Sequence, residues 1–120
     1  MKILVVDDSL IIRNKVQRCF GNQHTYFFAE NGQQALEVFC SICPDFVTMD
    51  LTMPNMDGVE SIRRLIEINS AANILVISAL SDKITALEAI KNGAKGFVAK
   101  PFQQEELQRA LQLIFAEEII

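Results

Sequence analysis

The chain has 120 residues, half of them apolar and 22% charged, which fits one ordinary globular domain and excludes a disordered or two-domain chain. Its 11 basic and 15 acidic side chains leave a net charge of −4, and no basic run offers a footprint for nucleic acid. No apolar stretch nears the ~20 residues of a membrane span, acids arrive too early at Asp7 and Asp8 for a signal peptide, and three cysteines fit a reduced, cytoplasmic protein better than a disulfide framework.

Ile3-Leu4-Val5-Val6 is an unbroken apolar run, the mark of a parallel-sheet strand buried on both faces. Ser9 is placed to cap a helix whose apolar positions include Ile12, Val16 and Cys19 and which ends at Gly21-Asn22. Tyr26-Phe27-Phe28-Ala29 reads as the second strand. After the break at Asn31-Gly32 comes a second helix with Leu36, Phe39, Cys40 and Cys43 on its apolar face, stopped by Pro44. Phe46 to Met49 is the third strand, residues 50–58 a loop, and Val59, Ile62 and Ile66 stripe the third helix. Ile74 to Ile77 is the fourth strand; a fourth helix is placed around Ile84, Leu87 and Ile90, ahead of Asn92-Gly93. Phe97-Val98-Ala99 is a short fifth strand. After Pro101 the last helix carries Leu107, Ala110, Leu111 and Ile114 and runs toward the tail at Ile120. Five strand–helix pairs in one domain imply a doubly wound α/β sandwich around a parallel sheet.

The polar residues fall at strand ends. Asp7 and Asp8 follow the first strand, Asp50 the third, Ser78 ends the fourth, and Lys100 follows the fifth. Open α/β sheets bind ligands beyond the carboxyl ends of their strands, where the strand order reverses. In the known order 2-1-3-4-5 that point lies between strands one and three, so Asp7, Asp8 and Asp50 converge, with Ser78 and Lys100 facing them. Like charges ~4 Å apart repel by about 4 kcal/mol at an effective dielectric near 20, so such a cluster takes up protons or binds a cation. An all-oxygen, partly wet donor set suits magnesium, with manganese as an alternative. A metal beside a free carboxylate and a lysine points to phosphoryl transfer through an aspartyl phosphate, with Lys100 and the Ser78 hydroxyl meeting the charge on the phosphoryl oxygens. Singly, Asp8 reads as a helix cap, Ser78 as a loop hydroxyl and Lys100 as a solvated charge; as a set they do not.

Two other features carry less. Cys40-Ser41-Ile42-Cys43 is a lone CxxC without a neighbouring histidine, which falls short of a zinc site and reads as core packing. His24, the single histidine, starts the second strand away from the pocket and reads as a surface residue, so the chain has no phosphodonor histidine.

These residues resemble a family. Ile3 to Ser9, Met49 to Gly58, Ile77-Ser78-Ala79 and Gly93 to Phe102 are similar to the CheY-like receiver domain of two-component response regulators over essentially the whole chain, residues 1–120. The resemblance implies a flavodoxin-like (βα)5 sandwich of strand order 2-1-3-4-5. It implies Asp50 as phosphoacceptor from a sensor histidine kinase, Asp8 and Asp50 as direct magnesium ligands with the Thr52 backbone carbonyl, and Asp7 acting through water. Ser78 and Lys100 become the phosphate-sensing pair, the Lys100–Pro101 bond is expected to be cis, and Phe97 takes the aromatic switch position. Phosphorylation adds about −1.5 to −2 charge and draws Ser78 inward; Phe97 follows and reshapes the surface of the fourth helix, fifth strand and fifth helix. Thr52 and Leu80 flank the path of hydrolytic water, and an apolar Leu80 implies slow to moderate self-dephosphorylation. The wording around Asp50 is most similar to single-domain chemotaxis regulators that bind the flagellar switch, so the expectation is a stand-alone cytoplasmic regulator acting on a downstream protein target, with no direct nucleic-acid contact and no membrane insertion. A receiver domain of a larger regulator and a phosphorelay intermediate stay open. A magnesium-dependent phosphohydrolase wants a second acid two residues past its nucleophile, where this chain has Thr52. A flavodoxin-like electron carrier wants a hydroxyl- and glycine-rich loop where Asp7-Asp8-Ser9-Leu10 stands.

Overall fold

The computed structural model describes residues 1–51 and 58–116. Five parallel strands, β1 (Lys2–Val6), β2 (Thr25–Ala29), β3 (Phe46–Asp50), β4 (Ile74–Ala79) and β5 (Gly96–Lys100), form one sheet in the order β2-β1-β3-β4-β5. The helices are α1 (Leu10–Phe20), α2 (Gly32–Ile42), α3 (Gly58–Ile68), α4 (Lys83–Lys91) and α5 (Gln104–Ala116), with one 3-10 turn at Leu80–Asp82 ahead of α4.

Strand pleating sorts the core into two layers. Leu4, Val6, Val47, Met49, Ile74 and Val76 pack toward α2, α3 and α4, against Phe39, Ile62, Leu65 and Ala89. Their neighbours Ile3, Val5, Phe46, Leu75, Ile77 and Val98 pack toward α1 and α5, against Val16, Phe20, Leu107 and Ile114. The apolar runs of β1, β3 and β4 therefore read as unbroken because these central strands have two covered faces. β1 pairs with β2 on one side and β3 on the other, Val6 lying opposite Ala29 and Met49.

Local chemistry fixes the ends of the elements. The Ser9 hydroxyl accepts from the Ile12 amide (3.3 Å), and Asn31 accepts from the Gln34 amide (2.9 Å), each closing a helix N-terminus. Gly21 ends α1 at φ +90°, a backbone state that side chains disfavour, and the Tyr26 hydroxyl donates to its carbonyl at 2.6 Å.

Two expected helix faces differ. The buried face of α2 is Gly32, Ala35 and Phe39, with Leu36 partly covered; Cys40 is exposed and Cys43 is an exposed left-handed cap at φ 50°. The true stripe lies one residue, about 100°, away from the one that would have buried both cysteines, so neither is core. In α4 the residues in the core are Ala86 and Ala89, while Ile84, Leu87 and Ile90 are 84%, 52% and 41% exposed. Alanine lets the helix backbone approach the sheet closely, and the larger residues are left outside.

Candidate functional site at the carboxyl edge of the sheet

Asp7 follows β1 in a tight turn. Its amide donates to the Ala29 carbonyl at 3.0 Å, and its carboxylate accepts from the Ser9 amide at 2.9 Å. That turn buries Asp7 and leaves the next residue, Asp8, exposed. Asp50 is the last residue of β3, as buried as Asp7 (both 2% exposed). One oxygen from each of Asp7, Asp8 and Asp50 falls within 4.8 Å of the others. The end of β3 is also pressed by α3: a side chain at Gly58 would stand 2.7 Å from the Leu51 Cα. Only glycine lets the helix begin there.

Lys100 enters from β5, where it lies opposite Ala79, and the Lys100–Pro101 bond is cis. Its Nζ sits 3.2 Å from Asp7 Oδ2 and 3.5 Å from Asp50 Oδ2. One ammonium thus lies against two carboxylates withdrawn from water, with the exposed Asp8 carboxylate beside them. Burial pushes the Asp7 carboxyl above its usual value; the Asp50 charge adds to that, and the Ser9 amide and Lys100 pull the other way. A divalent cation relieves such an imbalance, and the hard oxygen donors with one ligand facing water fit magnesium or manganese.

Ser78 is fully buried in β4 beside Asp50's partner Ile77. Its hydroxyl donates to Asp82 Oδ2 at 3.3 Å, in the turn before α4. Sequence reasoning missed Asp82, which the 3-10 turn after β4 folds back alongside Ser78. Leu80 is 66% exposed. Phe97 is partly buried, packed on the α2–α4 layer, and it borders a surface hollow of about 310 Å³ with Val98, Glu106, Arg109, Ala110 and Leu113. Thr52, expected as a carbonyl ligand and a tuner of hydrolysis, lies outside the described residues, as does the tail past Ala116. His24 stands at the opposite end of the molecule, its Nδ1 3.1 Å from the Met1 amine. Burial, and then the amine's charge, lowers its basicity.

A parallel doubly wound sheet with buried acids and a lysine at its switch point defines an open α/β module with a ligand site at the carboxyl ends of its strands. The chain belongs to the response regulator receiver domain family, whose model matches residues 3–112; it is the receiver domain of a two-component response regulator. It is 36% identical to the chemotaxis protein CheY of Thermotoga maritima, covering 94% of this chain and 96% of that one. It is 38% identical to the regulatory protein AtoC of Escherichia coli, of which it spans 25%. Among solved structures, the CheX–CheY–BeF3–Mg complex of Borrelia burgdorferi superposes with a TM-score of 0.88 at 28% identity, covering 96% of this chain and 89% of that one. Among the described residues no helix is long and apolar enough to cross a membrane.

Proposed function

We propose that Asp50 accepts a phosphoryl group from the phosphohistidine of a sensor histidine kinase, and that the domain passes the signal to a protein target from a cytoplasmic location. The observation that carries this reading is the Lys100 ammonium set between two buried carboxylates on neighbouring strands. The Asp50 oxygen attacks phosphorus and forms an O–P bond; the donor's N–P bond breaks, its electron pair stays on the imidazole nitrogen, and that nitrogen takes a proton. Asp8, Asp50 and the Thr52 carbonyl would hold a magnesium ion, with Asp7 acting through water, and that ion would supply positive charge to the phosphoryl oxygens. Lys100 then exchanges its carboxylate contact for a phosphoryl oxygen, and the Ser78 hydroxyl donates a hydrogen bond to another. The movement of Ser78 vacates space for Phe97, and the surface of α4, β5 and α5 changes with it. That surface already exposes Ile84, Leu87 and Leu113, large apolar side chains suited to a protein partner. The match to chemotaxis proteins along nearly their whole length favours a chemotaxis role, with the flagellar switch as target. The match to about a quarter of AtoC's length favours, as second reading, a receiver within a larger regulator. An exposed, apolar Leu80 offers hydrolytic water no hydrogen bond, which favours slow self-dephosphorylation.

Incubation with acetyl phosphate and magnesium, followed by intact mass, tests the reading. One phosphoryl group is expected on the parent chain and none on Asp50→Asn. An unchanged parent mass overturns it.

A further inference from the structure

Lys100 owes its position to more than β5. Two residues beyond it, Phe102 is fully buried in the α1–α5 layer. The Lys15 ammonium, half-way along α1, donates to the Phe102 carbonyl at 2.7 Å and lies 4.4 Å over the centre of the Phe102 ring. One charged group thus grips the main chain and the side chain of a single loop residue. The bond to the carbonyl is charge-assisted and partly shielded from water, and the ring face attracts the same cation. A second tie, from Gln108 Nε2 to the Cys19 carbonyl at 2.9 Å, joins α1 to α5 further along. The segment 100–102 is therefore held at its start by pairing with β4 and at its end by α1.

We infer that Lys15 is a positioning residue for phosphoryl transfer: it anchors Phe102, and thereby sets where the Lys100 ammonium stands relative to Asp50. This rests on the reading of Asp50 as acceptor. Lys15 touches neither the acids nor the phosphoryl group; it acts through Lys100. A small misplacement of a charged group at a reacting centre costs rate steeply, whereas the fold loses one hydrogen bond out of many.

The test is the rate of phosphoryl uptake from saturating acetyl phosphate with magnesium, followed by intact mass, in the parent chain, Lys15→Met, Lys15→Arg, Lys100→Met and the double variant Lys15→Met/Lys100→Met. Lys15→Met is expected to slow uptake about five- to tenfold. Lys15→Arg, which keeps a cation and a donor, is expected within about twofold of the parent. In the Lys100→Met background the Lys15 change is expected to have no further effect, the signature of two residues acting as a unit. Parent-like uptake by Lys15→Met overturns the inference. So does an equal slowing with and without Lys100, which marks a general structural effect. A parent chain that takes up no phosphoryl group overturns the reading of Asp50, and this inference with it.

Discussion

The two ends of the sheet carry similar polar residues and use them differently. At the amino edge, the Asp45 carboxylate accepts from the Lys2 amide at 2.7 Å and its carbonyl accepts from Asn73 at 3.1 Å, while Lys95 donates to Asn73 at 2.6 Å and Lys2 Nζ caps the Ile42 carbonyl at 3.1 Å. Each polar group there has a partner suited to it, and the set is exposed. At the carboxyl edge two buried acids meet the same lysine, and a third, exposed acid stands beside them. A paired polar lattice finishes a sheet; an unbalanced one favours a bound cation. Charge imbalance held in place by rigid strands, rather than polarity as such, separates the working edge from the structural one.

Metal addition breaks the symmetry between the edges most strongly. Magnesium at a hundredfold excess over its Kd is expected to stabilise the fold by about 2.7 kcal/mol, read as a rise in urea midpoint, and Asp8→Ala is expected to remove most of that gain. The gain fades on acidification. Because burial raises the folded-state pKa of Asp7, that carboxyl binds more protons in the metal-free folded chain than in the unfolded one over a window that opens above the ordinary carboxylate value. Its own contribution to stability therefore rises as pH falls through that window, while the magnesium increment shrinks there. Next, Lys100→Met is expected to cost the metal-free protein about 2 kcal/mol by removing the ammonium that lies against two buried carboxylates, with magnesium restoring much of it. At the amino edge, Asp45→Ala is expected to cost about 1 kcal/mol whether or not magnesium is present, with phosphoryl uptake unchanged. A magnesium-dependent cost at Asp45 would erase the distinction. The smallest effect is Ile84→Ser, within about 0.5 kcal/mol in denaturation because the side chain is 84% exposed.

Most of the working edge was legible from the sequence because strand ends are legible. An apolar run followed at once by Asp7-Asp8, by Asp50 or by Lys100 fixes where those residues sit, once the sheet is parallel and doubly wound. Helix rotation was harder. In α2 the pattern around Leu36, Cys40 and Cys43 suggested the wrong face by one residue, and in α4 the large apolar residues proved to be outside. Periodicity reports that a helix has an apolar stripe. It does not report that small residues, here Ala86 and Ala89, permit closer packing and take the core. The hydroxyl partner of Ser78 and the grip of Lys15 on Phe102 depend on side-chain reach across a turn or between distant segments, which residue spacing alone does not fix.

The contact between Ser78 and Asp82 bears on how easily such a domain changes state. A hydroxyl that already gives its proton to one anion gains little in bond number by turning to a second; it trades like for like. Two arrangements that differ by an exchange of equivalent acceptors lie close in free energy, so a modest bias is enough to tip a domain poised between them.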